Sequence, residues 1–469
     1  MLFSSITFLF FFLPVVLAVY YLIPAKGKNI VLLIASILFY AWGEPVYVIL
    51  LLLSVCFNYF CGRELEAGED NPRRAKMCVV FAVAVNVLIL GFFKYYSFLL
   101  NTAEEIFSIE IPYRELPLPI GISFYTFQAI SYIVDIYRGK ARPQKNFINF
   151  ALYLCMFPKL IAGPVVRYAD MERQLVSRKM SVKKIGQGSR RFIVGLAKKA
   201  VLAGAAGAVF EQISASPAAS LSALTAWIGC ISFAFQIYFD FSGYSDMAVG
   251  LGKMFGFEFR ENFAHPYTAV SVTDFWRRWH ISLSSWFREY VYIPLGGNQC
   301  SVSRNIINIM LVWLLTGMWH GGAWNFIAWG VYYGVILVIE KYVWGVFLDE
   351  IPKAAARVYT GMLVLVGWVF FFSPSLGYSL RYLSAMIGAG AGIVDAQAGF
   401  LLISHWLLYV LAVLCSSTAG MRLFQRIAGI SSNKKVRAAV ETAVYMAVFF
   451  VSVAFLVTDT LDPFLYFRF

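Results

Sequence analysis

The sequence predicts an all-α, polytopic membrane protein, and two observations support that fold class. The chain has 469 residues, of which 60% are hydrophobic, 17% aromatic and only 14% charged. Apolar runs of bilayer-spanning length recur from one end to the other, and counting them predicts about 10–12 transmembrane helices. We expect a single integral membrane domain over residues 1–469, with its core at about 118–345 and hydrophobic helices at about 358–458.

The expected spans follow one another in chain order. The first run is followed by further apolar segments, so it is predicted to be a membrane span rather than a cleaved signal. The spans are expected at residues 5–23, 29–43, 45–61, 77–93, 118–137, 192–210, 221–238, 303–319, 322–345, 358–373, 400–416 and 438–458.

A further apolar run, residues 147–166, contains the helix breakers Pro158, Gly163 and Pro164 and is expected to be re-entrant. Backbone broken at membrane depth is tolerated only against protein or a wet cavity. The middle of the chain is therefore expected to enclose a pore, tunnel or funnel.

The formal net charge of +13 comes from basic residues in the short breaks between apolar runs. This is the positive-inside pattern, which points to a lipid bilayer as partner and argues against a nucleic-acid partner. The seven cysteines contain no C-x-x-C pair and mostly lie in or beside apolar runs. We expect them to be small buried hydrophobes, with neither a disulfide framework nor a metal site.

Two of the four histidines lie in segments rich in aromatic and polar residues or glycine. His280 lies in DFWRRWHISLSSWFREYVYIPLGGN, and if residues 274–292 form one helix, Asp274 and Arg278 are one turn apart, as are His280 and Ser284. An interfacial helix whose arginines meet lipid phosphates is the alternative interpretation.

His320 lies in MWHGGAWNF, at the end of an apolar run and before two glycines that leave room for a ligand or another backbone. Ionisable groups at membrane depth are costly and usually face the protein interior or a cavity. Neutral imidazole can take a proton from an attacking hydroxyl or thiol and return it to a leaving group. A structural histidine bonded to a neighbouring helix carbonyl is the alternative.

Several long blocks, in order along the chain, resemble the membrane-bound O-acyltransferase family, and most of all its alginate O-acetyltransferase membrane subunit branch. The blocks are MLFSSITFLFFFLPVVLAVYYLIP, LPIGISFYTFQAISYIVDIYRG, FPKLIAGPVVRY, FDFSGYSDMAVGLGKMFGF, WRRWHISLS, WFREYVYIPLGGN and LTGMWHGGAWNFIAWG. The likeness runs from the first residue to about residue 345, and the last 120 residues share only their hydrophobicity.

This resemblance implies a ring of membrane helices with a funnel or tunnel leading to a catalytic histidine, in a core of about residues 118–345. It makes His320 the expected catalytic base and His280 a second polar residue that orients or polarises. The residues expected to support them are Ser284, Asn325, Trp319 and Arg277. No bound cofactor is expected, and two histidines 40 positions apart do not make a metal site.

The resemblance also implies an O-acetyltransferase of the bacterial cytoplasmic (inner) membrane, with acetyl-CoA or an acetyl carrier as donor and a secreted polysaccharide as the final acceptor. Because the chain shows only short loops and no glycan-binding domain, an extracytoplasmic SGNH-like acetyltransferase is the expected relay partner. The alternatives are transfer of D-alanyl or another acyl group to a cell-envelope polymer, and a transporter or flippase of a glycan or lipid-linked precursor.

Overall fold

The structure, a computed structural model, describes residues 1–68, 71–114, 116–428 and 433–458, and in those residues it contains helices and no strand. Ten helical segments within them are long and apolar enough to cross a membrane. These are Ala25–Gly43, Tyr47–Ala67, Pro72–Phe107, Val182–Ser214, Ala223–Met254, Val302–His320, Trp324–Trp344, Lys353–Phe372, Ala396–Ser416 and Lys435–Thr458. The predicted all-α, polytopic membrane fold is confirmed.

Two expected spans form helices that are shorter than the ten. Residues 5–23 form an apolar helix, Phe8–Leu22, whose first turn is π-helical. Residues 118–137 form a helix at Ile122–Tyr137, and almost all of its residues are buried. A helix apolar and buried on every side belongs to a protein core rather than to a lipid-facing surface.

The chain divides into two compact units, and the first comprises residues 1–192 and 245–260. Its helices are α1 (Leu13–Leu22), α2 (Lys28–Gly43), α3 (Tyr47–Ala67), α4 (Pro72–Phe107), α5 (Ile122–Tyr137), α6 (Phe147–Cys155), α7 (Phe157–Leu160), α8 (Tyr168–Val176) and the start of α9 (Val182–Ala197). The core of the unit lies around α5, α6 and α7, most of whose residues are buried.

The segment predicted to be re-entrant is broken where its sequence suggests. α6 ends at Cys155, and Met156 has non-helical backbone angles (φ −54°, ψ 110°). α7 (Phe157–Leu160) is a single turn with Pro158 in its first two positions. Lys159 in this turn is fully buried, donates a hydrogen bond to the Gln128 side-chain carbonyl and lies 4.6 Å from the Tyr153 ring centroid. The break therefore rests against protein, which supplies its polar partners.

The second unit comprises residues 193–244 and 261–469. Its helices are α10 (Gly204–Ser214), α11 (Ala223–Met254, up to residue 244), α12 (Val272–Arg278), α13 (Ile281–Phe287), α14 (Val302–His320), α15 (Trp324–Ile339), α16 (Gly345–Glu350), α17 (Lys353–Phe372), α18 (Leu376–Met386), α19 (Ala396–Ser416), α20 (Thr418–Ala428) and α21 (Lys434–Thr458). Aromatic side chains of α11, α12, α15 and α17 make up most of one large buried cluster.

Candidate functional site

A cavity of about 750 Å³ in the second unit has both predicted histidines, His280 and His320, in its wall. Four helices, α12 to α15, and the π-helical turn after α13 supply most of that wall. The apolar part of the wall is Trp276, Trp279, Leu283, Phe287, Ile309, Val312, Trp313, Leu337 and Leu348. Two segments that are 40 residues apart in sequence thus contribute to one mostly apolar site.

His280 lies at a break in the backbone and not inside a helix. α12 ends at Arg278, and His280 has a left-handed conformation (φ 44°, ψ 52°) before α13 begins. The condition of one helix over residues 274–292 is therefore not met, and the spacing of one turn between His280 and Ser284 does not follow from a continuous helix. Of the expected one-turn pairs, Asp274 and Arg278 form an ion pair at 2.9 Å within α12.

Hydrogen bonds to Asn262, 18 positions earlier in the sequence, stabilise this break. The backbone N–H of Ile281 donates to the Asn262 backbone carbonyl at 2.9 Å, and the backbone N–H of Ser282 donates to Asn262 Oδ1 at 3.2 Å. These bonds take the place of the bonds that a continuous helix would make back to its own preceding turn. Left-handed backbone in a residue other than glycine costs free energy and is common at functional sites.

The imidazole of His280 is almost completely enclosed. It is 1% exposed, its Nδ1 lies 3.0 Å from Asn262 Oδ1, and the Phe241 ring packs edge-on against it at a centroid distance of 4.7 Å. Burial lowers the pKa of His280 from 6.5 to about 3, because the apolar surroundings disfavour the charged ring. His280 is therefore a neutral group at physiological pH.

His320 is the last residue of α14 and is 6% exposed. Its ring packs against Trp329 of α15 and Phe371 of α17, at centroid distances of 4.9 and 5.1 Å. A side chain at Gly321 would meet the Phe326 ring at 2.3 Å, so only glycine lets the chain turn here beside α15. Three helices thus fix the position of this imidazole.

The Trp319 ring lies close to both histidines. Its ring centroid is 5.9 Å from that of His280 and 5.0 Å from that of His320. The two imidazole centroids are therefore within about 11 Å of each other, since both distances end on the same tryptophan. This separation fits the prediction that one site contains both histidines.

The other predicted residues fall in different places. Ser284 and Arg277 line the cavity, and the Ser284 hydroxyl donates to the Trp276 carbonyl at 3.3 Å. Asn325 does not belong to the cavity wall. Its Nδ2 donates to the carbonyls of Phe370 and Ser373 at 3.1 and 3.0 Å, which ties α15 to α17.

The sequence predicted only one of the three basic residues in the cavity wall, Arg277. Lys341 and Arg288 line the cavity together with Arg277, and neither arginine forms an ion pair within the described residues. The one acidic residue in the wall, Glu340, accepts hydrogen bonds from the backbone N–H groups of Val272 and Thr273 at 2.7 and 2.8 Å. The Glu340 carboxylate thus stabilises the N-terminal turn of α12. With three basic residues and one acidic residue, the cavity wall has a net positive charge.

Asn262 is also a residue that the sequence did not reveal. It lies in ENFAHPY, 18 positions before His280, in a segment without regular secondary structure. Its contact with His280 depends on the fold of the loop between α11 and α12, which hydrophobic periodicity cannot predict.

Comparisons with known proteins show which family the cavity region resembles. Residues 141–380, which include the whole cavity wall, match the sequence profile of the membrane-bound O-acyltransferase family. A probable alginate O-acetylase of Pseudomonas aeruginosa is 41% identical over 87% of this chain and 81% of its own length. A peptidoglycan O-acetyltransferase of Helicobacter pylori is 36% identical over 83% of this chain and 80% of its own. A teichoic acid D-alanyltransferase of Bacillus subtilis is 28% identical over 48% and 59%, respectively.

Proposed function

This chain belongs to the membrane-bound O-acyltransferase family, and on that premise we propose that it transfers an acetyl group from a cytosolic donor toward a secreted polysaccharide. The observation that carries the proposal is the single cavity whose wall contains both His280 and His320. Its relatives from Pseudomonas aeruginosa and Helicobacter pylori, named for alginate and peptidoglycan acetylation, favour acetyl as the transferred group.

His320 is the base of the proposed reaction. It takes the proton of the attacking hydroxyl or thiol, whose oxygen or sulfur forms the new bond to the acetyl carbon. The bond from that carbon to the donor sulfur then breaks, and His320 returns the proton to the departing thiolate. The aromatic packing around His320 supports this role, because it limits water near the reacting carbonyl.

The donor in this proposal is acetyl-CoA or an acetyl carrier with similar phosphate groups. Arg277, Arg288 and Lys341 give the cavity wall the positive charge that such an anion needs. The apolar residues of the same wall suit the uncharged arm that carries a thioester. No cofactor is needed besides this donor substrate.

The acetyl group then leaves the bacterial cytoplasmic membrane through a relay. We propose that an extracytoplasmic SGNH-like acetyltransferase receives it and selects the sugar. The ten candidate membrane spans support a multi-pass position in the bilayer, where donor and acceptor can be on opposite sides.

The test is His320→Gln in the producing cell, with His405→Gln as the matched control because His405 lies on α19 outside the cavity wall. We expect His320→Gln to remove ester-linked acetate from the envelope polymer while the protein accumulates and the polymer is exported. If export stops and acetylation per sugar persists, the chain is a transporter or flippase. If D-alanyl esters disappear and acetate stays, the transferred group is D-alanine.

A further inference from the structure

Asn262 makes an unusual set of contacts around one oxygen atom. Its Oδ1 lies 3.2 Å from the Ser282 backbone nitrogen, 2.9 Å from the Ser282 hydroxyl and 3.0 Å from His280 Nδ1. The residue is 1% exposed, so water does not compete for these bonds. One amide oxygen thus joins the backbone break to the imidazole.

These contacts decide the hydrogen positions. A backbone N–H can only donate, so the Asn262 atom that faces Ser282 must be the carbonyl oxygen and not the amide nitrogen. That oxygen can only accept, so His280 Nδ1 must carry a hydrogen. Since burial keeps the ring neutral, Nε2 is then the nitrogen with a lone pair.

We propose that Asn262 is a positioning residue that locks His280 in the neutral Nδ1–H tautomer, so that Nε2 serves the acyl-transfer site as a hydrogen-bond acceptor. This inference deepens the proposed function and rests on it for the purpose of the acceptor. The tautomer determines whether His280 can donate or accept at the site. His280 accepts a hydrogen bond or a proton from the reacting groups and does not donate one to a developing oxyanion.

Two aromatic contacts of the His280 ring restrict its orientation. The Phe241 and Trp319 rings pack against the imidazole at centroid distances of 4.7 and 5.9 Å, edge-on to it. A flip of the ring about its second side-chain torsion would take Nδ1 away from Asn262 Oδ1 and leave a buried acceptor with fewer donors. Leaving a buried polar group without its partner is unfavourable, so the observed ring orientation is preferred.

The test reads the tautomer directly. The full-length protein is labelled with ¹⁵N-histidine and reconstituted in lipid nanodiscs, and the His280 signals are assigned by their loss in His280→Gln. We expect a protonated Nδ1 and an unprotonated Nε2 in the parent protein at pH 7. Asn262→Ala removes the acceptor, so the Nε2–H tautomer should become populated and kcat should fall roughly 10–100-fold, as for partners that orient metal-binding histidines.

Asn262→Asp serves as the conservative variant. Its carboxylate can accept the same three hydrogens, so the Nδ1–H should persist, and its negative charge should make His280 take up a second proton at a higher pH than in the parent. Asn86→Ala is the matched control for the loss of a buried asparagine, because within the described part of the chain Asn86 bonds to Asn58 and Ala82 of α3 and α4, away from His280. It should leave the His280 signals unchanged.

A parent spectrum with a protonated Nε2 and a bare Nδ1 overturns the inference, whether or not Asn262→Ala folds. So does an Asn262→Ala protein that keeps the parent tautomer. The spectra need no substrate, so a chain that fails to transfer acetyl groups but shows the expected tautomer would disprove the proposed function alone.

Discussion

Gly317 of α14 and Gly330 of α15 lie so close together that neither position has room for a side chain. A Cβ atom on Gly317 would be 2.3 Å from the Phe326 carbonyl oxygen, and one on Gly330 would be 2.5 Å from the Trp313 carbonyl oxygen. His320 follows Gly317 by one helical turn, and Trp329, which packs on His320, precedes Gly330. Small residues at helix contacts are a usual means of close packing in membranes.

Gly330→Ala should therefore separate α14 from α15 and displace His320. We expect lower thermal stability and a loss of transfer activity, because the added methyl group clashes with the Trp313 carbonyl, which cannot move without moving the whole of α14. Gly361→Ala in α17 is the matched control, since a Cβ there meets nothing within 4 Å. It should leave activity unchanged and stability equal or slightly higher. Equal effects of the two substitutions, measured by thermal inactivation in detergent, would contradict this account.

The sequence predicted the membrane spans but not the contacts that shape the site. Hydropathy found all ten long spans, because spans depend on local composition. It underestimated α4, predicted at residues 77–93 and observed at Pro72–Phe107, because the helix continues through polar residues that a hydropathy window excludes. The break at His280 could not be predicted, because the bonds that hold it come from Asn262 in a distant loop.

The low pKa of His280 predicts a specific pH dependence of stability. The folded protein keeps His280 neutral down to about pH 3, whereas the unfolded chain binds a proton near pH 6.5. Between these values the unfolded state holds one more proton, so stability falls as the pH falls, by about 1.4 kcal/mol per pH unit for one proton. His280→Gln should remove this contribution.

The measurement compares apparent Tm at pH 7 and pH 5 for the parent, His280→Gln and His405→Gln. The drop in Tm on acidification should be smaller in His280→Gln than in the other two. An identical drop in all three proteins would show that His280 titrates alike in the folded and unfolded states.

Removing a cation from the cavity wall should weaken donor binding. Arg288→Ala should raise KM for acetyl-CoA about 10-fold or more with little change in kcat, because a hydrogen bond to a charged group contributes about 1.5–3 kcal/mol. Arg304→Ala is the matched control, since Arg304 is an exposed arginine at the start of α14 and outside the wall. Equal KM values for both variants would place the donor phosphates elsewhere.

The proposed relay predicts that this chain alone does not acetylate sugar efficiently. The cavity wall contains two histidines, three cations and several aromatic rings, but the described residues form no folded domain outside the helices that could bind a glycan. We therefore expect purified protein in vesicles, with acetyl-CoA on its cytosolic side and polysaccharide on the other, to leave the sugar nearly unmodified. Adding the extracytoplasmic SGNH-like transferase should restore ester formation, and His320→Gln should abolish it again. Efficient acetylation without the added transferase would show that this chain selects the sugar itself.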